Sequence, residues 1–394
     1  MKQKTALYFV LTITFAFGCS SEKQSNENLP CLDITKNYPE KEIILTDIAD
    51  VTYLHLNTKD DDYIFKALPY IGSIYCTTKN TIVVQDIYSG SVLFFSRDGD
   101  PISRFNRKGQ GPEEYIVFAN NIFYDEATDD VYIFSLSSNI IQVYSSKGEH
   151  RRKLTLPEGV NIIKMNSFDD QSLLVYDDRQ SSNILKSKNG EITASVDSTF
   201  ILISKANGEI LDYIIVPNNA TDLSVVMGDG KTKAAMIFAR MTKCRGGLIL
   251  FNPETDTVFF CDKNRTLTPV MHKTPLVNDL DPQVVFEFFT DIGLYQYMST
   301  FTNIKNDYFN YYMRDKKTGE IFRPKITLPD YRGKEFLLRP SIDKYQENEY
   351  FFELDLIELK EAYTENKLSG QLKEFVETLD EDEDNNVFVL ARFK

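Results

Sequence analysis

Side chains able to do chemistry cluster in a few stretches of the 394-residue chain. The densest is Phe105-Asn-Arg-Lys-Gly-Gln-Gly-Pro-Glu-Glu-Tyr115. It sets two cations, Arg107 and Lys108, within a few residues of Glu113, Glu114 and Tyr115. Gly109 and Gly111 permit an irregular backbone between them, and Pro112 stiffens it. Such a loop suits one of two tasks. It can offer charge and hydrogen bonds to a ligand, or it can clip two elements together with its glutamates capping backbone amides. Two acidic runs, Asp60-Asp61-Asp62 and Asp380-Glu-Asp-Glu-Asp384, carry the oxygen donors that calcium favours. The second lacks the central Gly and terminal Glu of an EF-hand loop, so solvated turns are the better reading of both. His55, His150 and His272 are widely scattered. Gly228-Asp-Gly-Lys-Thr232 ends like a phosphate-binding loop, but Val225 holds the first glycine position and no strand-to-helix pattern surrounds it. No G-x-S-x-G, H-E-x-x-H or C-x-x-C motif occurs. No cofactor is expected, and Ca²⁺ is the one ion worth weighing.

A different chemistry attaches to Cys19. Lys2 and Lys4 precede an apolar stretch, Ala6 to Phe17, that is too short for a spanning helix. The stretch fits a secretory signal over residues 1–18. It ends in Ala16-Phe17-Gly18-Cys19, which resembles a bacterial lipobox with Ala where Leu is commoner. Cys19 is therefore the expected lipidation site, and residues 19–40 the lipidated cysteine with its polar tether. Ser20, not Asp, follows the cysteine, which favours the outer membrane and leaves open whether the chain faces periplasm or exterior. Export permits disulfides among Cys31, Cys76, Cys244 and Cys261. The closest pair, however, should lie in the strands on either side of Leu248, about 9–10 Å apart and beyond bridging range. Free thiols are expected.

Turn signals reveal the elements that must position these groups. Val92–Ser96, Ile141–Ser145, Phe200–Ser204, Leu248–Phe251 and Tyr311–Met313 each run into a Gly- or Asn/Pro-containing turn and a second strand. The hairpins recur about every 47–64 residues. Further strands precede four of them at Thr81–Gln85, Val131–Phe134, Ser172–Tyr176 and Ala235–Phe238. One more strand before each polar turn gives four antiparallel strands per repeat, the size of a β-propeller blade; a parallel β-helix would need much shorter repeats. The 28 Phe and 22 Tyr, with no Trp, suit pleated faces. Val51–Leu56 and Val387–Phe393 then supply a sixth blade by pairing the two ends of the fold. Residues 41–394 are expected to form one all-β, six-bladed propeller, interrupted by a helical insertion over about 355–380. Asp355-Leu-Ile-Glu358 resembles a capping box there, and Leu359, Ala362, Tyr363, Leu368, Leu372, Phe375, Val376 and Leu379 follow at helical spacing. Their stripe should cover one face of the propeller.

The glycine-punctuated run at 105–115, the lipobox, the repeated S-x-x-G-E turns and the helix-then-strand ending together resemble the six-bladed β-propeller lipoproteins of Bacteroidota-type bacteria, distant relatives of NHL-repeat propellers. The likeness spans nearly the whole chain after the tether, although Glu113 stands where family members often have Gly. It implies the fold and an exported location, and no activity. By this layout the run at 105–115 joins the outer strand of one blade to the inner strand of the next, on the face where ligands usually enter a propeller. Arg107, Lys108, Glu113, Glu114 and Tyr115 are therefore the candidate ligand-face residues.

Net charge is −14, which disfavours nucleic-acid phosphates and anionic surfaces. The expected role is a non-catalytic binding or scaffolding lipoprotein, monomeric, attached to the membrane through its anchor alone. Its partner would be a glycan, a peptide or an envelope protein. The alternative is a carbohydrate- or lactone-directed hydrolase or lyase, with carboxylates, and Ca²⁺ if any, in the axial channel.

Overall fold

The computed structural model describes residues 29–59, 61–66, 74–116, 122–135, 139–157, 160, 162–177, 200–217, 224–226, 233–235, 240–253, 255–302, 308–338 and 348–394. Six sheets form the propeller blades. Blade 1 comprises Ile74–Thr77, Thr81–Gln85, Ser91–Ser96 and Pro101–Asn106. Blade 2 comprises Ile122–Asp125, Asp130–Ser135, Ile140–Tyr144 and His150–Thr155. Blade 3 comprises Ile162–Ser167, Ser172–Asp177, Phe200–Ser204 and Ile210–Ile214. Blade 4 comprises Met241–Cys244, Gly247–Leu250, Thr257–Asp262 and Leu267–Thr274. Blade 5 comprises Val284–Ile292, Tyr295–Thr302, Phe309–Asp315 and Ile321–Leu328. Strands within each blade are antiparallel neighbours in chain order.

Blade 6 closes the ring. Its described strands are Glu349–Leu354, Val387–Phe393 and, from the start of the fold, Ala49–His55. The last two pair antiparallel through seven residues, from Val387 opposite His55 to Phe393 opposite Ala49. Closure of this kind hides sheet edges that would otherwise pair with other chains.

Each blade is sandwiched between two others, which explains why its middle strands read as continuous apolar runs and do not alternate. Thr81–Gln85 and Ser172–Asp177 are buried at every position. Between blades 2 and 3, for example, Phe134, Ile141 and Leu154 pack against Leu173, Val175 and Ile203. The glycine in the turn between third and fourth strands has a second task beyond its positive φ. Gly148 (φ +80°) lies so close to blade 1 that an added Cβ would stand 2.4 Å from Phe105 Cβ. A Cβ on Gly99 (φ +91°) would stand 2.0 Å from the His55 carbonyl oxygen in blade 6. Only a residue without a side chain lets these turns sit on the neighbouring outer strand.

Two features depart from the expectations. First, the segment ahead of residue 41 is part of the ring. Strand β1 (Cys31–Asp33) lies parallel to the outer strand of blade 4, with Cys31 opposite His272. Strand β2 (Glu40–Ile44) lies parallel to the outer strand of blade 5, with Ile43 opposite Ile326. Strand β3 (Ala49–His55) completes blade 6. The chain thus straps three successive blades before the first repeat begins, anchored by Leu32, which is fully buried in the core between blades 4 and 5. Second, the strand preceding the Leu248 hairpin is Met241–Cys244, joined to it by the two-residue turn Arg245-Gly246, where Gly246 has φ +78°. Ala235 belongs to a two-stranded ribbon, Ser224–Val226 with Lys233–Ala235, and residues 236–239 lie outside the described residues. Cys244 faces Gly247 and Cys261 faces Leu248 across the shared strand, and neither forms a disulfide.

The insertion in blade 6 is the expected helical hairpin, Leu356–Thr364 and Gly370–Glu377. Asp355 caps the first helix by accepting from the Glu358 amide at 3.0 Å. Glu358 turns its carboxylate to Lys334, so the box is not reciprocal. The stripe is buried as the spacing predicts, at Leu359, Ala362, Leu368, Leu372 and Val376. It packs into the core shared by blades 5 and 6, with Tyr331, Phe336 and Tyr350, and Phe375 meets Tyr53 of the outer strand. The helices therefore cover the flank of these two blades.

Candidate functional site

The run at 105–115 leaves the outer strand of blade 1 and folds back on itself. The Tyr115 amide donates to the Arg107 carbonyl at 3.0 Å, and the Gly109 amide to the Tyr115 carbonyl at 3.1 Å. Glu114 reaches across the two glycines to accept from the Gly111 amide at 2.7 Å. An added Cβ on Gly109 would stand 1.9 Å from the Glu114 Oε2, so a side chain there would push the carboxylate out of its place. The spacing Gly-x-Gly-Pro-x-Glu therefore specifies a capped loop.

That loop is laced to two blades. Toward blade 1, the Tyr115 hydroxyl donates to the Gly90 carbonyl at 2.6 Å and Lys108 Nζ to the Tyr88 carbonyl at 2.9 Å. Toward blade 2, Arg107 Nε donates to the Gly148 carbonyl at 3.0 Å. Blade 2 answers with the Tyr144 hydroxyl on the Glu113 carbonyl at 2.7 Å, and with Gln142 Nε2 on the Pro112 and Glu114 carbonyls. Tyr115 is fully buried, and burial pushes its phenol up to about 12, with the nearby Arg107 working in the opposite direction. Four of the five candidate residues thus direct their polar groups into an interblade clasp. Glu113 differs: its carboxylate is 70% exposed and stands 3.7 Å from His150 Nδ1.

On the edge where first meets second strand and third meets fourth, charged side chains tie strand to strand and blade to blade. Arg97 Nη2 meets Glu349 of blade 6 at 2.7 Å, and Arg392 Nε meets the other oxygen of the same carboxylate at 3.1 Å. Lys205 of blade 3 meets Asp125 of blade 2 at 2.9 Å and Ser167 Oγ at 2.8 Å. Thr81 of blade 1 donates to Glu126 of blade 2 at 2.9 Å. In blade 5, Lys316 holds Asp291. Sequence reasoning passed over these ties, yet a signal existed. Arg97, Lys205 and Lys316 each directly follow the third strand of their blade, at Ser96, Ser204 and Asp315.

The remaining candidates do not converge. His55, His150 and His272 sit on the outer strands of blades 6, 2 and 4. Among the described residues no group of three or more His, Cys, Asp or Glu side chains is arranged to hold a metal ion. Asp62 pairs with Arg104 at 2.6 Å, while Asp60 lies outside the described residues. In the second acidic run the Asp380 amide donates to Asp384 and the Asp382 amide to Asp380, both as turn contacts. Asp384 Oδ1 also stands 3.1 Å from His55 Nε2. Burial lowers the His55 pKa, and Asp384 offsets part of that shift. Cys19 and residues 227–232 lie outside the described residues. An open groove of about 380 Å³ lies on the outer flank of blade 5 between β2 and Tyr331–Phe336, lined by Glu42, Ile44, Thr327, Arg332 and Glu335.

Comparison with known proteins places this architecture. The model of a family described as a domain of unknown function, DUF4934, matches residues 29–274, from the start of the strap to the end of blade 4. A Bacteroides fragilis protein provisionally described as exported is 15% identical, with a TM-score of 0.65, over 93% of this chain and 99% of that one. A Bacteroides vulgatus member of the DUF4221 family is 10% identical, with a TM-score of 0.45, over 88% and 97% of the two chains. Virginiamycin B lyase from Staphylococcus aureus is 12% identical, with a TM-score of 0.36, over 72% and 76%. No curated protein matches the chain.

Proposed function

We propose, for a chain that belongs to the DUF4934 family, the role of an exported, lipid-anchored binding platform. Acylation at Cys19 holds it to the outer membrane, and the propeller engages a glycan, a peptide or another envelope protein without chemistry of its own. One observation carries this reading most of the way: the N-terminal segment is built into the ring. Three successive strands strap blades 4, 5 and 6 before the repeats begin, so a load on the anchor reaches the sheets through ladder hydrogen bonds. A ring joined at both ends and tied by Glu349, Asp125 and Glu126 between blades suits a surface that holds its shape while a partner docks. The net charge of −14 argues for neutral or basic partners over nucleic acid.

The test has two arms on the full-length protein made in a bacterial host. Mass spectrometry of the purified protein reads the acyl mass on Cys19, which Cys19→Ser abolishes together with membrane retention. Affinity capture from envelope extracts and glycan-array binding then look for a saturable partner, and a panel of glycosides and lactones looks for turnover. Saturable binding without turnover is expected. Turnover of any panel member with no partner in either binding assay would overturn the platform reading.

A further inference from the structure

The outer strands of the blades do not present equal surfaces to solvent. On blade 2 the exposed side chains of the outer strand are Arg151, Lys153 and Thr155, and on blade 1 they are Ile102, Arg104 and Asn106. On blade 3 the strand Ile210–Ile214 and the residue after it expose Leu211 (51%), Tyr213 (44%) and Ile215 (64%). Tyr213 and Ile215 alternate with the buried Ile214 and Val216, so they share one side of the strand. Leu211 adjoins them at a bulge opposite Ile203. The one charge in the strand, Asp212, is paired with Arg265 of blade 4. The corresponding edges of blades 4 and 5 carry β1 and β2, whereas among the described residues this one pairs with Phe200–Ser204 alone.

The first described residues of the chain lie on the neighbouring blade. Strand β1 runs parallel to the outer strand of blade 4, with Cys31 opposite His272, and the His272 amide donates to the Pro30 carbonyl. From Cys31 back to Pro30 the described chain therefore points along that strand in the direction of Leu267. There the turn carrying Arg265 is tied to Asp212 of blade 3. From His272 back to Leu267 is about 17 Å at roughly 3.3 Å per residue. Cys19 is twelve residues before Cys31, a stretch that as a coil spans about 17–21 Å and fully extended about 40 Å. The polar sequence Ser20-Ser-Glu-Lys-Gln-Ser-Asn-Glu-Asn28 offers no apolar partner for the row.

We infer that the rim of blade 3 rests on the lipid surface, with Leu211, Tyr213 and Ile215 entering the headgroup–acyl boundary. This rests on the acylation of Cys19 advanced above. Tyr suits that boundary because its ring is apolar and its hydroxyl stays wet. The acyl chains supply the standing attachment, and the row supplies a second, weaker contact that fixes which way the ring faces. The propeller then stands on its blade 3 edge with its axis inclined toward the membrane plane.

The chain has no Trp, so a single introduced one reports alone. Lipidated Tyr213→Trp and, separately, Ile102→Trp are reconstituted into phosphatidylethanolamine–phosphatidylglycerol vesicles with plain or brominated acyl chains. Ile102 is the control because it is 56% exposed on the outer strand of blade 1. The Tyr213→Trp emission should lose about half or more of its intensity to the bromines, as a ring 5–10 Å deep would, while Ile102→Trp stays unquenched. Equal quenching at both sites, or none at position 213, overturns the proposal. So does a blue shift in plain vesicles that grows with protein density without bromine quenching, which would assign the row to a second copy. The acyl mass on Cys19, read from the same preparations, keeps the two failures apart: without it the anchor itself is disproved and the rim contact falls with it.

Discussion

Replacing Glu349 by Ala tests whether the interblade ties carry the ring. The carboxylate is 4% exposed and lies between Arg97, 17% exposed, and Arg392, 52% exposed. Removing it leaves Arg97 at the junction of blades 1 and 6 with, among the described residues, one weak contact, to the Thr78 carbonyl at 3.5 Å. Breaking a fully buried pair costs about 3–5 kcal/mol, and breaking an exposed one about 0–1 kcal/mol. Arg97 retains some water, so the loss should be about 2–3 kcal/mol. Arg392→Ala removes the more exposed arginine from the same carboxylate and should cost no more than about 1 kcal/mol. Glu349→Leu combined with Arg97→Met takes away both charges and should recover most of the loss, because a well-packed apolar pair avoids the desolvation penalty. Urea unfolding read by far-UV circular dichroism gives each value, with unchanged m as the check that one transition is compared. If Glu349→Ala costs less than Arg392→Ala, or if the double variant is no better than Glu349→Ala, the tie does not hold the ring and the reasoning fails.

Other expectations follow from the same geometry. Gly148→Ala should cost about 2–5 kcal/mol, combining a left-handed backbone with a clash against Phe105, whereas Gly319→Ala (φ +77°, open space around it) should cost only about 1–2 kcal/mol; thermal or urea unfolding separates the two. Leu32→Ala should cost about 2–5 kcal/mol despite its place in a segment that composition marks as a tether, since the side chain is fully buried; a loss below about 1 kcal/mol would mean the strap does not bear on the core. Burial lowers the folded pKa of His55 below its unfolded value, so the unfolded chain binds the proton more tightly. Stability should therefore fall as pH drops below about 6.5, and His55→Gln should flatten that limb of the urea-midpoint profile. Asp130 behaves as the usual carboxylate: burial would raise its pKa, but Arg152 and Arg151 overcome that and hold it low, so its contribution persists above about pH 4 and is lost as pH falls through the depressed value. Asp130→Asn should remove that acid-side loss.

The repeat was legible because its signals are local. A turn needs positive φ within four residues, so Gly99, Gly148, Gly208 and Gly319 mark their hairpins in the sequence itself. The closing pair, Val387–Phe393 with Ala49–His55, could be inferred because a ring of repeats with an apolar strand left over at each end has one way to bury both. The helical hairpin announced itself by its period. The Arg245-Gly246 turn was passed over because Ala235–Phe238 offered a stronger apolar run nearby, and the pairing of Ala235 with Ser224 depends on chain that comes earlier.

What the tertiary structure decided are the contacts between elements distant in sequence. Leu32 looks like tether until blade 4 provides an edge for β1, because a three-residue strand has no periodicity to read. The residues from Arg107 to Tyr115 carry the chemistry of a ligand loop, and their types alone do not say where their hydrogen bonds go. Gly90, Gln142 and Tyr144 decide that, and they become neighbours only when blades 1 and 2 pack face to face. Spacing along a chain fixes which groups share a turn or a strand face. Which groups lose water, and so must find partners, is settled when the ring closes.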